Sequence, residues 1–316
     1  MTMLEPSSEG HLPFKIPSID KPCSTYYKIF GDLSQGIPVI VMHGGPGAGH
    51  DYLLPFAELW PRFGLPVVFY DQIGCGQSTH LPETKGDKSF WQESLFVAEL
   101  GNLIDGLNLR LGFHLFGHSF GGMIGPAFAA SQPPGLHRLV IGSGIPSKDL
   151  NNRSFDEVKS LLPEKHQQAI SDAVQSQSFD AAEYKEAIGY MMKTFMCRAA
   201  PPPVLLASNK NMADDNTVRS TMAGPSPWMI TGSMQGWTCI PRLHRITVPT
   251  LTYNAEHDTS SRDLTQVPFF ELIPRVRQYR FNNAGHMLHL ESDELKDRVL
   301  KLVGDFLCQR DEDSAA

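Results

Sequence analysis

Residues 113–122 read Phe-His-Leu-Phe-Gly-His-Ser-Phe-Gly-Gly, an apolar run that closes in the pattern G-x-S-x-G at Gly117–Gly121. A helical pattern of small residues follows. The serine of such a pattern sits on a sharp turn between a strand and a helix, with its hydroxyl exposed. Glycines flank it because a turn that tight leaves no room for side chains beside it. Ser119 is thus the candidate nucleophile. A five-residue pattern also arises by chance, so the rest of the chain has to supply partners for it.

Outward from this stretch, short apolar runs rich in β-branched residues predict buried strands of a parallel sheet. They are Ile37–Met42, Pro66–Tyr70, Phe113–Phe116, Leu139–Gly142, Val248–Asn254 and Val276–Phe281, with Thr25–Phe30 as an antiparallel edge strand. Helical patterning fills the intervals at Tyr52–Trp60, Phe90–Leu109, Phe120–Ser131 and Asp293–Leu307. Alternation of this kind predicts an α/β fold, a mostly parallel central sheet flanked by helices. The alternation breaks after residue 145. Amphipathic stretches at Phe155–Ala173 and Ala181–Phe195, then Pro201–Pro203, replace it until the sheet resumes at Val248. The expected organisation is a discontinuous core, residues 1–145 and 242–316, with residues 146–241 inserted as a helical cap over the strand ends. Ligands bind at that end of such sheets.

Bulk properties remove several function classes. A net charge of −7 over 316 residues, with no basic cluster, argues against a nucleic-acid partner. The N-terminal stretch has no apolar core of a signal peptide, and no run is long enough for a membrane span. Five scattered cysteines without a C-x-x-C fit free thiols in a reducing compartment. A cytoplasmic protein is expected, with no membrane partner. No metal-ligand spacing and no dinucleotide fingerprint occur, so no metal and no cofactor are expected.

A serine hydroxyl becomes a nucleophile when a base takes its proton, and an acid must orient that base. The chain order for an elbow serine is Ser, then Asp or Glu, then His. Downstream, one strand runs into Glu256-His257-Asp258 and the next into Ala284-Gly285-His286. Both lie on loops that follow strands. Asp258 and His286 are the acid and base on this reading, with Glu256 as second choice for the acid and Asp263, His257 and His289 as competitors. One oxyanion donor is the backbone N–H of Phe120, the residue after the nucleophile. The other belongs to the glycine-rich loop His43-Gly44-Gly45-Pro46-Gly47, directly after an early strand. Asp71–Ser78, DQIGCGQS, reads as a tight turn bracing that loop. A serine at the elbow, in place of aspartate, disfavours alkyl-enzyme chemistry.

In combination HGGPG, DQIGCGQS, GHSFGG, the aspartate and the Gly-His pair resemble the proline iminopeptidase family of α/β-hydrolases. Val218–Trp237 resembles the end of that family's cap, so the likeness runs from about Tyr26 to Leu307. It implies an α/β-hydrolase fold with a helical cap, Ser119, Asp258 and His286 as a triad, and Gly45 and Phe120 as oxyanion donors. It implies a small-molecule or short-peptide substrate, and hydrolysis of an N-terminal prolyl or aminoacyl bond.

Departures lie where substrate is chosen. The family pattern places glutamates against the substrate amine, and the matching positions here are Asn209 and Thr259. Asp214, Asp215, Glu183 and Glu186 are carboxylates able to compensate, and Ile73 stands where the family has arginine. A buried ammonium without a carboxylate costs several kcal/mol. An esterase, lactonase or amidase acting on an uncharged small molecule is therefore the alternative, and the cap methionines (Met191, Met192, Met196, Met212, Met222, Met229, Met234) suit such a ligand. A non-catalytic binding protein on the same fold is the minor one.

Overall fold

A computed structural model of the chain describes residues 4–309. The chain begins with strands β1 (Ser8–Pro13), β2 (Ser24–Phe30) and β3 (Val39–Met42). A 3-10 turn at Asp51–Glu58 runs into α1 (Leu59–Phe63), followed by β4 (Val67–Tyr70), α2 (Glu93–Gly106), β5 (Phe113–His118), α3 (Gly121–Ala129) and β6 (Leu136–Gly142). Five helices come next: α4 (Lys148–Ser160), α5 (Glu164–Ser176), α6 (Ala182–Met191), α7 (Pro203–Asp214) and α8 (Thr217–Met222). The sheet resumes with β7 (Thr250–Ala255), α9 (Asp263–Leu272), β8 (Val276–Phe281) and α10 (Asp293–Leu307).

The eight strands form one sheet in the order β1-β2-β4-β3-β5-β6-β7-β8. β1 and β2 are antiparallel to their neighbours, and the strands from β4 to β8 run parallel. The inner strands are buried on both faces, which is why VIVM and VVFY are continuous apolar runs with no alternation. Successive residues still point to opposite layers. Ile40, Met42, Leu115 and Ile141 pack with Phe96, Leu100 and Ile124 of α2 and α3. Val39, Val41, Phe116 and Val140 pack with Leu59, Val299, Leu300 and Val303 of α1 and α10. The sheet is therefore covered on both sides, and the loops after β3, β5, β6, β7 and β8 leave it at one end.

Several expectations shift in detail. Thr25–Phe30 is strand, but the edge belongs to β1, whose SEGHLP has no apolar alternation to announce it. β8 is the opposite edge and its middle residues are exposed, so it is not a buried strand. The stretch 155–173 is broken between α4 and α5, because Pro163 has no N–H to continue the ladder. The stretch 181–195 ends in a single π-turn at Met192–Met196. α9, with Pro268 inside it and Val267, Phe270 and Leu272 exposed, carries no clear amphipathic stripe and escaped the sequence reading.

The helices between β6 and β7 are tied back at both ends. Ser147 and Thr238 form a β-bridge, and Glu93 of α2 accepts both Nη atoms of Arg242 (2.7 and 2.8 Å) and Trp237 Nε1 (2.6 Å). Met191 joins a core within these helices, while Met222 and Met234 join the main core; Met192 is exposed. Among the described residues no helix is long and apolar enough to cross a membrane. All five cysteines are free thiols, four of them buried.

Candidate active site

Ser119 leaves β5 with φ of +56°, in the left-handed region that costs a non-glycine residue roughly 1–3 kcal/mol. Its N–H donates to the Gly142 carbonyl at 3.0 Å, which ties the strained residue to the end of β6. The surrounding glycines are sterically required. A Cβ on Gly117 would run into the Gly121 carbonyl, one on Gly121 into the Met42 carbonyl, and one on Gly122 would lie 2.7 Å from Gly144 Cα. Phe120, also named from the sequence, is the N-cap residue of α3.

The glycine loop lies against this elbow. A Cβ on Gly44 would stand 2.8 Å from Ser119 Cβ and 3.2 Å from Ser119 Oγ, so only glycine lets the loop approach so closely. Gly45 and Gly47 have φ of +116° and +90°, which also calls for glycine. His43 braces the loop from below: its Nδ1–H donates to Gly44 O (2.9 Å), while Nε2 accepts the Gln72 N–H (2.9 Å). Burial holds His43 below the ordinary histidine range, so the ring is neutral, with that tautomer. DQIGCGQS is thus a brace, as its sequence suggested. Asp71 accepts His50 N and Nδ1 (each 2.8 Å) and Gln77 N (2.9 Å). Burial raises its pKa, but the neighbouring His50 and these hydrogen bonds outweigh that and leave it at about 2. Where the family arginine would stand, Ile73 donates its N–H to both oxygens of buried Glu99 (2.8 and 3.0 Å).

Asp258 and His286 meet although 28 residues separate them: Nδ1 of His286 is 2.8 Å from Asp258 Oδ1. Both side chains are buried. Asp258 Oδ1 also accepts Ser260 N (2.8 Å) and Ser261 N (2.9 Å), and Oδ2 accepts Ser261 Oγ (2.7 Å). Burial alone would raise the Asp258 pKa; His286 and the Ser261 hydroxyl overcome it and hold the carboxylate ionised well below the usual range. Sequence reasoning passed over Ser260 and Ser261, though an aspartate followed at two and three residues by serines is the signal of an Asx-type turn. α4 fastens the same loop, with Asn151 Nδ2 donating to Ser260 O (2.8 Å) and Ser154 Oγ to Thr259 O (3.1 Å).

The competing residues are placed elsewhere. Glu256 accepts the Asn283 N–H, Asp263 pairs with Arg280, and His257 is half-buried beside Phe195. His289 is buried near the site, but it donates from Nε2 to Tyr52 O (3.0 Å) and does not touch Asp258. Thr259 is buried with its Oγ1 unpartnered, directly after Asp258. Asn209 is not brought to the site. It lies on the exposed side of α7, and its neighbours Ser208 and Asn211 make the contacts to the core, with Tyr52 and with Ala48 and Asp51. Glu186 and Asp214 pair with Lys165 and Lys210 on the surface, and Asp215 pairs with His80 (2.6 Å).

A family model described as "alpha/beta hydrolase fold" matches residues 37–293. A proline iminopeptidase of Lactiplantibacillus plantarum is 30% identical over 273 residues, covering 85% of this chain and 92% of that protein. The crystal structure of a proline iminopeptidase of Mycobacterium smegmatis superposes with a TM-score of 0.85 at 32% identity, covering 95% of this chain and 97% of that one. The chain belongs to the proline iminopeptidase family of α/β-hydrolases. The crystal structure of VinJ is also similar, with a TM-score of 0.88 and 36% identity over 96% of this chain and 99% of that one. This α/β-hydrolase is an enzyme, and the family's fold accounts for the sheet order, the elbow and the loops gathered at one end of the sheet.

A small apolar crevice adjoins Phe120, lined by Trp91, Met123, Met222, Met234 and Trp237. A wider cleft of about 470 Å³ opens between α4, α5 and Trp228, and none of Ser119, Asp258 or His286 lines it.

Proposed function

We propose that the chain is a serine hydrolase working through an acyl-enzyme, and that it releases an N-terminal prolyl or aminoacyl group from a short peptide or amide. The observation that carries the reading is the buried 2.8 Å contact between His286 Nδ1 and Asp258, on loops beside a serine held at positive φ. In the proposed mechanism Ser119 Oγ attacks the carbonyl carbon as its proton passes to His286 Nε2. The Gly45 and Phe120 N–H groups hold the oxyanion. On collapse the C–N bond breaks, and His286 gives the proton to the leaving amine. Water then adds to the ester, with His286 as base, and frees Ser119 and the acid. Asp258 orients the ring and stabilises its cationic form. Residues 146–241 act as a cap over residues 1–145 and 242–316, and the substrate enters between them.

A second reading is hydrolysis of an ester, lactone or amide of an uncharged small molecule. Thr259, buried and uncharged beside the acid, favours it, as does the apolar crevice at Phe120. Turnover of a prolyl arylamide, other aminoacyl arylamides and a short aryl ester separates the two readings, with Ser119→Ala as control. Prolyl or aminoacyl arylamide turnover is expected. Fast ester turnover without any arylamide turnover overturns the aminopeptidase reading and leaves the second.

A further inference from the structure

Gly44 has both backbone polar groups committed. Its carbonyl accepts His43 Nδ1–H, and its N–H donates to Tyr52 Oη at 2.8 Å. The Tyr52 hydroxyl lies in turn 2.9 Å from His118 Nδ1, and His118 Nε2 lies 3.2 Å from the His286 carbonyl oxygen. Tyr52 and His118 are fully buried. Burial, with His286 and His289 alongside, keeps the His118 ring neutral.

The hydrogens then have one assignment. The His286 carbonyl can only accept, so the single proton of the neutral His118 ring sits on Nε2. Nδ1 is then the unprotonated nitrogen and accepts the Tyr52 hydroxyl hydrogen, while Tyr52 Oη accepts from Gly44. The run reads Gly44 N–H to Tyr52 O–H to His118, then His118 N–H to His286. It joins the glycine loop to the loop of the base through the residue covalently attached to Ser119.

We propose that Tyr52 and His118 are positioning residues that hold the oxyanion loop and the His286 loop in register across Ser119. The proposal rests on the serine-hydrolase reading above. Neither side chain acts on the substrate. The effect is on geometry: the Gly44–Gly45 peptide is trans, so a carbonyl drawn toward His43 turns the Gly45 N–H to the opposite side. The Tyr52 hydroxyl pins the N–H end of the same glycine. Tyr52 is itself anchored, with its N–H donating to Ser208 Oγ of α7 (3.1 Å) and its carbonyl accepting His289 Nε2 (3.0 Å).

The test is Tyr52→Phe, which keeps the ring and removes the hydroxyl, run beside Ser119→Ala. The expected result is a fall in kcat of about ten- to hundredfold with KM within about twofold. In ¹⁵N-histidine spectra, His118 of the parent protein should appear as the Nε2–H tautomer, and Tyr52→Phe should shift its Nδ1 resonance by removing that nitrogen's hydrogen bond while leaving the proton on Nε2. Wild-type kcat in Tyr52→Phe, or a parent His118 protonated at Nδ1, overturns the proposal. Should Ser119→Ala retain activity, the serine reading fails, while the tautomer readout still judges the relay on its own. If Tyr52→Phe does not fold, His118→Gln and His118→Leu decide. Gln keeps a donor for the His286 carbonyl and should retain at least about tenfold more kcat than Leu; equal rates overturn the proposal.

Discussion

Replacing Asp258 by asparagine removes one charge and keeps the shape. Oδ1 accepts three N–H groups, from His286 Nδ1, Ser260 and Ser261, at 2.8, 2.8 and 2.9 Å. The two backbone donors admit only an oxygen at that position. Opposite, Ser261 Oγ is 2.7 Å from Oδ2, and a hydroxyl accepts from an amide NH₂ as readily as it donates. The asparagine should therefore seat with its oxygen toward His286, preserving the ring's orientation and tautomer. What goes is the attraction between a carboxylate and the imidazolium that, in the proposed mechanism, forms as Ser119 loses its proton. For charge centres about 4 Å apart at an effective dielectric near 20 this is roughly 4 kcal/mol, and the amide dipole retains part of it. At about 1.4 kcal/mol per factor of ten, Asp258→Asn should lower kcat by about 10²- to 10³-fold, with KM within about twofold. Initial rates on the best substrate of the panel, with circular dichroism to verify the fold, give the answer. A folded variant keeping more than about a tenth of kcat refutes the role given to Asp258.

Three further outcomes are expected. Gly121→Ala forces a Cβ onto the Met42 carbonyl, where no flexible side chain can yield, and urea unfolding should show a loss of at least about 2 kcal/mol; parental stability contradicts the tight-turn argument. Burial pushes Glu99 from the ordinary 4.5 up to about 8, so the folded protein holds a proton that the unfolded chain releases. Its contribution is full below pH 4.5 and is lost as pH rises toward 8, so the Tm of Glu99→Gln relative to the parent should improve between about pH 5 and pH 9; a constant difference contradicts it. His80 loses charge stability to burial but gains more from the Gly76 carbonyl and the Asp215 carboxylate, which leaves its pKa raised. That stabilisation is complete below the ordinary 6.5 and is lost as pH rises through the folded value, so His80→Gln should lower Tm more at about pH 6 than at about pH 9. An equal loss at both would exclude the ion pair as its source.

The parts of the fold legible in the sequence are those whose cause is local. β3 and β4 are unbroken apolar runs because both their faces are buried, and the elbow shows itself because its glycines are sterically forced. β1 pairs with β2 through residues with no apolar alternation of their own, so nothing local marks it. Asp258 and His286 are legible by chain order, since the topology delivers consecutive strand ends to one place. Asn209 illustrates the limit. Neighbouring helical residues point about 100° apart, so one step along α7 separates an exposed Asn209 from a buried Ser208. The Tyr52–His118 link joins residues 66 positions apart through single hydrogen bonds, and no spacing rule exposes such a contact.

The central claim is that Ser119 becomes covalently acylated. Incubation with a fluorophosphonate, followed by intact mass and peptide mapping, tests it most directly. The account predicts one adduct per chain, on Ser119, formed as activity disappears and absent from Ser119→Ala. A folded, active protein that takes no label, or labels equally when Ser119 is replaced, contradicts it.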